Sequence, residues 1–239
     1  MAVKLSFEQA VTDIEAAYQA LGHTLGWRFL NVSRDVLRKN PQIALITANP
    51  GGNSIPLDHG TASCESGCAY LSEMWGNSEK GQSSLQKQVQ RLFGAIADQI
   101  NFVGGGEALM ESSLIAYYIP FRSPRLAVLP RMKESLCFAR SLWSRLFEQV
   151  HPKLILTIDP DAFKAFGDLL QHRFSTHPSQ HRVMQTGWGA YTAEVKRFGH
   201  GANITTLVRL PHLSTFKLFS RPECKPFTDA ILADACVHL

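Results

Sequence analysis

Four short segments of the chain combine side chains that exchange protons or form directional hydrogen bonds with prolines and glycines, which favour turns. They are 48–53 (ANPGGN), 117–123 (YYIPFRS), 159–161 (DPD) and 211–215 (PHLST). Each also has a plain structural interpretation. A glycine-rich loop can be a simple turn, and a lone histidine such as His212 is more often a hydrogen-bonded structural residue. Asp159 and Asp161 can ligate a divalent cation or cap a helix.

Each of these segments follows a short apolar run that predicts a buried strand. The predicted strands are 42–47, 113–118, 154–158 and 204–209. Helical patterns occupy 6–21, 84–100, 131–150, 161–172 and 221–236, and the second of them is predicted to stop at Gly104-Gly105-Gly106. Two extended stretches, 182–185 and 191–197, flank Gly187-Trp188-Gly189 and predict a hairpin. The alternation predicts an α/β fold: a three-layer α/β/α arrangement with a central, mainly parallel four-stranded sheet and a small hairpin.

In such sheets, ligands bind outside the carboxyl ends of the strands, so the four segments are expected to meet at one site. The chain carries no internal repeat or linker, and we expect a single domain over 1–239. We expect its first part, 1–41, to be helical. The stretch 52–83 is rich in Gly, Ser and Asn, and a loop this long in a compact domain is expected to be functional.

Composition sets the class of protein. Of 239 residues, 45% are apolar and 18% are charged, which predicts a folded core, and no apolar run is long enough for a membrane span. Five cysteines form an odd, irregular set, so we expect reduced thiols and a cytoplasmic protein. We also expect a monomer. Residues 113–239 hold 16 Lys and Arg against 9 Asp and Glu. This excess fits a polyanion such as nucleic acid, and a scattered surface excess explains it equally well.

The order of these motifs resembles the uracil-DNA glycosylase superfamily over roughly residues 42–220. The resemblance implies that Asn49, in the sequence Asn-Pro-Gly, positions the hydrolytic water, and that His212 stabilises the departing base. Hydrolysis of a base–deoxyribose bond develops positive charge on the sugar and negative charge on the base, which a hydrogen-bond donor can stabilise. We therefore expect a monofunctional DNA glycosylase that leaves an abasic site and needs no cofactor and no metal.

The resemblance also implies that DNA is the partner, because such an enzyme must turn its target nucleotide out of the duplex. The loop after the last strand is expected to contact the DNA backbone and to fill the gap with an apolar wedge. The residues assigned to these contacts are Ser214, Thr215, Phe216, Lys217 and Arg221. Phe216 or Leu218 is the candidate wedge, and Phe216 can equally be a core residue that anchors the loop.

Three departures from the family pattern bear on the base. Gly51 stands where uracil-specific relatives carry an aromatic residue that blocks the pyrimidine 5-position, although a glycine there also permits a turn with positive φ. Tyr117 stands where they carry the asparagine that reads uracil, and Leu213 replaces the proline after the histidine. These departures predict a 5-substituted pyrimidine.

Within the superfamily, a bacterial phage-defence branch removes glucosylated hydroxymethylcytosine, and the chain looks like a candidate for it. Pocket and sugar contacts are assigned to Gly51, Gly52, Asn53, Asp58, His59 and Tyr117.

Other interpretations stay open. The first is excision of uracil or of a deaminated or mismatched base in DNA repair, and the second is a catalytically silent DNA-binding protein that keeps the fold. A nucleotide-binding enzyme fits badly, because the glycine-rich loop does not open directly into a helix. Cys64 and Cys68 could begin a metal or iron–sulfur site, but the remaining cysteines do not form a matching pair.

Overall fold

The computed structural model describes residues 5–54 and 62–239. Within these ranges the helices are α1 (Phe7–Ala20), α2 (Ala69–Ser72), α3 (Ser84–Gln99), α4 (Gly105–Ser112), α5 (Met132–Leu146), α6 (Pro160–Phe174) and α7 (Lys225–Ala235). The strands are β1 (Ile43–Thr47), β2 (Leu114–Tyr117), β3 (Leu154–Thr157), β4 (Gln180–Gln185), β5 (Thr192–His200) and β6 (Asn203–Arg209). Short 3-10 helices lie at Arg34–Arg38, Leu126–Val128, Leu218–Ser220 and Pro222–Cys224.

The strands form one sheet in the order β2-β1-β3-β6-β5-β4. Neighbours from β2 to β6 are parallel, and β5 and β4 continue the sheet in antiparallel pairing. The predicted α/β class is confirmed. The predicted hairpin is formed by β4 and β5, but the predicted four strands are wrong: β5 also pairs along the whole of β6 through the tight turn between His200 and Asn203, so the sheet has six strands. That pairing satisfies backbone groups of β6 that would otherwise lack partners.

The central strands are buried along their full length. Every residue of β1, β2 and β3 is buried, as expected for parallel strands covered on both faces. The helices pack in two groups, with α3 against α4 and α7 and with α5 against α6. Trp143 of α5 packs against Phe166 of α6 with ring centroids 5.0 Å apart, and its indole Nε1 donates to the Tyr118 carbonyl at 2.9 Å.

The N-terminal part is not wholly helical, which corrects the expectation for 1–41. Helix α1 begins as predicted, because the Ser6 hydroxyl accepts a hydrogen bond from the Gln9 amide at 3.0 Å. The chain then runs extended beside β2, where Tyr117 N donates to Phe29 O at 3.0 Å and Asn31 N donates to Ile115 O at 2.7 Å. This segment covers the edge of the sheet at β2, so the edge backbone groups gain partners.

The segment predicted as a long loop, 52–83, contains structure within its described residues. It holds the single helical turn α2, and Cys64, Cys68 and Tyr70 are buried in it. The Ala69 amide donates to the Asn31 carbonyl at 2.8 Å, which ties this segment to the extended N-terminal part. Part of the segment therefore belongs to the core, and its aromatic residues are fixed relative to the sheet.

Candidate active site

A cavity of about 730 Å³ opens at the carboxyl ends of β1, β2, β3 and β6. It lies where the strand order predicts a ligand site. Residues from all four segments singled out in the sequence line it, including Asn49, Tyr117, Asp159 and His212. Separate parts of the chain thus converge on one cleft.

Asn49 follows β1, is half-buried, and is held by the loop after β2. Its Nδ2 donates to Pro50 O at 2.9 Å, to Ser123 Oγ at 3.0 Å and to Ser123 O at 3.3 Å. Backbone carbonyls can only accept, so these contacts assign the amide nitrogen to the protein side. Among the described residues nothing donates to Asn49 Oδ1, which leaves an acceptor free to orient a water molecule.

His212 follows β6, and its ring faces the cavity. The adjacent Leu213 is fully buried and anchors the segment in the core. Loss of hydration lowers the pKa of His212, so the imidazole is neutral at pH 7. His212 Nδ1 lies 2.8 Å from Ser214 Oγ. When the hydroxyl donates to Nδ1, the proton of the neutral ring is on Nε2, where it can donate to a ligand.

Three aromatic residues also line the cavity. Tyr117, the last residue of β2, is buried, and burial raises the pKa of its phenol, which therefore stays protonated. Tyr70 and Trp75 also line the cavity, with ring centroids 4.7 Å apart. Trp75 Nε1 donates to Glu73 Oε2 at 3.2 Å, and Glu73 forms a buried ion pair with Arg28 at 2.7 Å. Sequence patterns did not predict Tyr70 and Trp75 as site residues, because they lie in a segment without periodicity.

The glycine loop forms the side of the cavity near Asn49. A Cβ added at Gly51 would meet no atom of residues 5–54 and 62–239 within 4 Å, and Gly51 does not have a positive φ. The interpretation that Gly51 permits a positive-φ turn is therefore wrong, and Gly52, with φ +94°, has that role. The Arg122 guanidinium donates to the Gly51 carbonyl and holds the loop in place. Asn53 lines the cavity and is exposed, whereas Asp58 and His59 lie outside the described residues.

Asp159 both caps a helix and lines the cavity. Its Oδ1 accepts a hydrogen bond from the Ala162 amide at 2.7 Å, which confirms the predicted cap of α6. Its Oδ2 is shielded from solvent and has no hydrogen-bond partner among the described residues. Burial raises the pKa of Asp159 to about 6. No group of three or more His, Cys, Asp or Glu in the described ranges could hold a metal ion.

In the loop after His212, some of the residues predicted to contact DNA are exposed and others are packed against the protein. Thr215 and Lys217 are exposed, and Ser214 is half-buried against the histidine ring. Phe216 packs against Tyr191 of the β4–β5 hairpin with ring centroids 4.1 Å apart. Leu218 is fully buried, so its assignment as a wedge is wrong.

The hairpin and the end of this loop are joined by a cation–π contact. Arg221 lies 4.2 Å from the centroid of the Trp188 ring, and Trp188 in turn meets the edge of Phe216 at 6.0 Å. The Arg221 side chain is exposed on its other side and lies 3.6 Å from Glu223. Packing on the hairpin tip thus fixes the direction of the loop that carries the exposed Lys217.

The chain matches no family model, and it matches none of the curated proteins. In the described part of the chain, no helix has the length and apolar character needed to cross a membrane.

Proposed function

We propose that the protein is a monofunctional DNA glycosylase of the uracil-DNA glycosylase superfamily, with that family's three-layer architecture. Its substrate is a 5-substituted cytosine in DNA, best matched by the glucosylated hydroxymethylcytosine of phage DNA, and its product is an abasic site. One observation carries the proposal: Asn49 and His212, 163 positions apart in the sequence, line the same cleft.

The two side chains suit the two sides of the reaction, the attacking water and the departing base. Asn49 Oδ1 orients a water toward the sugar carbon, since its Nδ2 is already committed to the loop at Ser123. The neutral His212 ring donates from Nε2 to the departing base, where negative charge accumulates. A donor in such a position typically contributes about 100- to 1,000-fold in rate.

The cleft favours a large base over plain uracil. A cavity of about 730 Å³ lies within the range of roughly 300–1,000 Å³ that holds drug-sized ligands, and a pyrimidine alone would fill only part of it. No described residue fills the space beside Gly51, so within this part of the chain a substituent at the pyrimidine 5-position has room. Tyr117 offers a single hydroxyl instead of the paired donor and acceptor of an amide. A sugar on the base could hydrogen-bond to Asn53 at the rim.

DNA is the partner in this proposal, and the nucleotide must leave the stack to enter the cleft. Lys217 is exposed on the loop that follows His212, where a phosphate contact would hold the flanking backbone. Phe216 is half-buried against the hairpin. Because Leu218 is fully buried, Phe216 is the wedge candidate that remains. We expect the protein to act as a monomer in the cytoplasm.

A base-release assay tests the proposal. The purified protein is incubated with duplexes that carry uracil, 5-hydroxymethylcytosine or its glucosylated form, and the free base is identified by mass spectrometry. We expect release of the glucosylated base and an alkali-labile abasic site, without strand cleavage by the protein. Release of uracil alone would indicate a repair enzyme. DNA binding without release of any base would indicate the silent DNA-binding protein.

A further inference from the structure

The proposed mechanism leaves one proton without an acceptor. When water adds to the sugar carbon, it must lose a proton, and the Asn49 amide is too weak a base to take it. His212 lies on the side of the departing base in this mechanism and carries its own proton at Nε2. A further group at the cleft is needed if proton transfer assists the reaction.

Strand order places Asp159 between these two residues. β3 lies between β1 and β6 in the sheet, and Asp159 follows β3 as Asn49 follows β1 and His212 follows β6. All three residues line the same cavity. The carboxylate therefore lies between the two sides of the reaction, next to the segment that holds Asn49.

The carboxylate has one committed and one uncommitted oxygen. Oδ1 caps α6 through the Ala162 amide, while Oδ2 is shielded from solvent and lacks a donor among the described residues. A buried carboxylate oxygen without a donor is costly, and native proteins rarely keep one without a use. Asp159 as a whole is only part-buried and lines the cleft, so its carboxylate borders any molecule bound there.

We propose that Asp159 is the general base of the reaction, an inference that rests on the proposed function. The Asp159 carboxylate accepts a proton from the water that Asn49 orients, as the water oxygen forms a bond to C1′ of the sugar. The electron pair of the C1′–N bond leaves with the base, which His212 stabilises by a hydrogen bond. The proton on Asp159 then passes to the departing base or to solvent, so the carboxylate is restored.

The protonation state fits this role. Burial raises the pKa of Asp159 to about 6, close to the value at which a general base is most effective near neutral pH. The nearby Asp161 carboxylate raises this pKa further, while the Ala162 and Ala48 amides lower it. The other titratable or charged groups that line the cavity are Tyr70, Tyr117, Arg122, Arg125 and His212. Loss of hydration also lowers the pKa of His212, so its titration is distinguished from that of Asp159 by comparing the variants below.

Three variants and a pH profile test the inference. Asp159→Asn keeps the N-cap, because asparagine caps a helix as well as aspartate does, but it removes the base. Single-turnover base release is measured from pH 5 to pH 9 on the duplex that the wild type cleaves. We expect the wild-type rate to rise with pH to a plateau above about pH 6. Asp159→Asn should be at least about 100-fold slower, and any pH dependence that remains should be that of His212.

Asp168→Asn is the matched control, since Asp168 lies on α6, is exposed, and pairs with Arg140 at 2.9 Å away from this cavity. It should leave both the rate and the pH profile unchanged. Asp161→Asn should shift the midpoint to lower pH, because the negative charge that raises the pKa of Asp159 is gone. Asp159→Asn with wild-type rate and profile would overturn the assignment of Asp159 alone, as would a wild-type rate that falls with rising pH. A wild type that releases no base from any duplex overturns the proposed function and this inference together.

Discussion

His212 is the catalytic candidate whose side chain can be changed with the least disturbance to the fold. Its ring is exposed to the cleft and has one side-chain hydrogen bond, to Ser214. We expect His212→Ala to slow base release by about 100- to 1,000-fold, because a donor to the developing anion is lost. Single-turnover kinetics measure this loss, and DNA affinity and melting temperature should stay close to those of the wild type.

His172, exposed on α6 outside the cleft, provides the control histidine. His172→Ala should leave the rate of base release unchanged. A His212→Ala variant as active as His172→Ala would remove the imidazole from the mechanism.

Gly51 tests the substrate class at the scale of a single residue. Its φ is not positive and no described residue lies within 4 Å of its Cβ position, so a larger side chain can be introduced without backbone strain. We expect Gly51→Tyr to abolish release of a glucosylated base, because the ring would occupy the space of the 5-substituent. Competition between a bulky and an unsubstituted pyrimidine in one reaction measures the change.

Gly51→Ala serves as the graded control, since it adds only a methyl group and should retain most of the activity on the bulky base. Equal loss of activity on both bases in Gly51→Tyr would mean that Gly51 does not face the 5-position.

At the scale of elements, the cap of α6 carries a cost in stability that follows from the raised pKa of Asp159. Folding disfavours the ionised carboxylate, since its pKa is raised from 3.8 to about 6 in the folded protein. The destabilisation is absent at low pH, develops between pH 4 and pH 6, and stays constant above that range. A shift of this size corresponds to about 2–3 kcal/mol.

Asp159→Asn keeps the cap and removes the ionisation, so it should be more stable than the wild type at pH 8 and nearly equal to it at pH 4. Urea unfolding at the two pH values measures the difference. A difference that is the same at both pH values would contradict the raised pKa.

The strand ends could be predicted from the sequence because each element there has a strong local signal. β1, β2 and β3 are apolar runs buried on both faces, and Asp159 and Pro160 mark the start of α6. Prediction failed where contacts distant in sequence decide the structure. The helix predicted over 84–100 does stop before the glycines at 104–106, but the sequence did not predict that α4 begins among them, at Gly105. An added Cβ at Gly106 would lie 2.7 Å from the Gly94 backbone. Glycine thus allows α3 and α4 to pack closely.

Some residues of the candidate site could likewise be predicted from local sequence, and others depend on contacts distant in sequence. Asn49, Asp159 and His212 could be found because they follow strands, and the topology of parallel sheets brings strand ends together. Tyr70 and Trp75 could not, because their place in the cavity depends on α2 and on the buried ion pair of Glu73 with Arg28. The pairing of the extended N-terminal segment with β2 could not be predicted for a similar reason. It provides hydrogen-bond partners for the backbone of an edge strand, and that edge exists only in the folded sheet.

At the scale of the whole molecule, the uneven charge predicts how DNA binding responds to salt. Each phosphate contact releases a counterion, so the slope of log K against log salt falls by about 1 for each contact that is removed. We expect Lys217→Ala to reduce the slope by about one unit and to weaken binding of every sequence alike. Fluorescence anisotropy at several salt concentrations measures both effects.

Lys39 is a matched control, because it is exposed and precedes β1, at the opposite end of the strand from the cleft. Lys39→Ala should leave the slope unchanged. If the two variants behave alike, DNA does not approach the protein at the carboxyl ends of the strands.

The empty space beside Gly51 has an evolutionary consequence under the proposed function. Because its backbone is unstrained, the position accepts other amino acids, and a single codon can widen or narrow the range of bases admitted to the cleft. When viruses change the chemical modification of their bases, a substitution at this position could adapt the enzyme without any change in its fold. A cleft without a blocking side chain at this position also admits unmodified bases, so other contacts must prevent the enzyme from acting on the host's own chromosome.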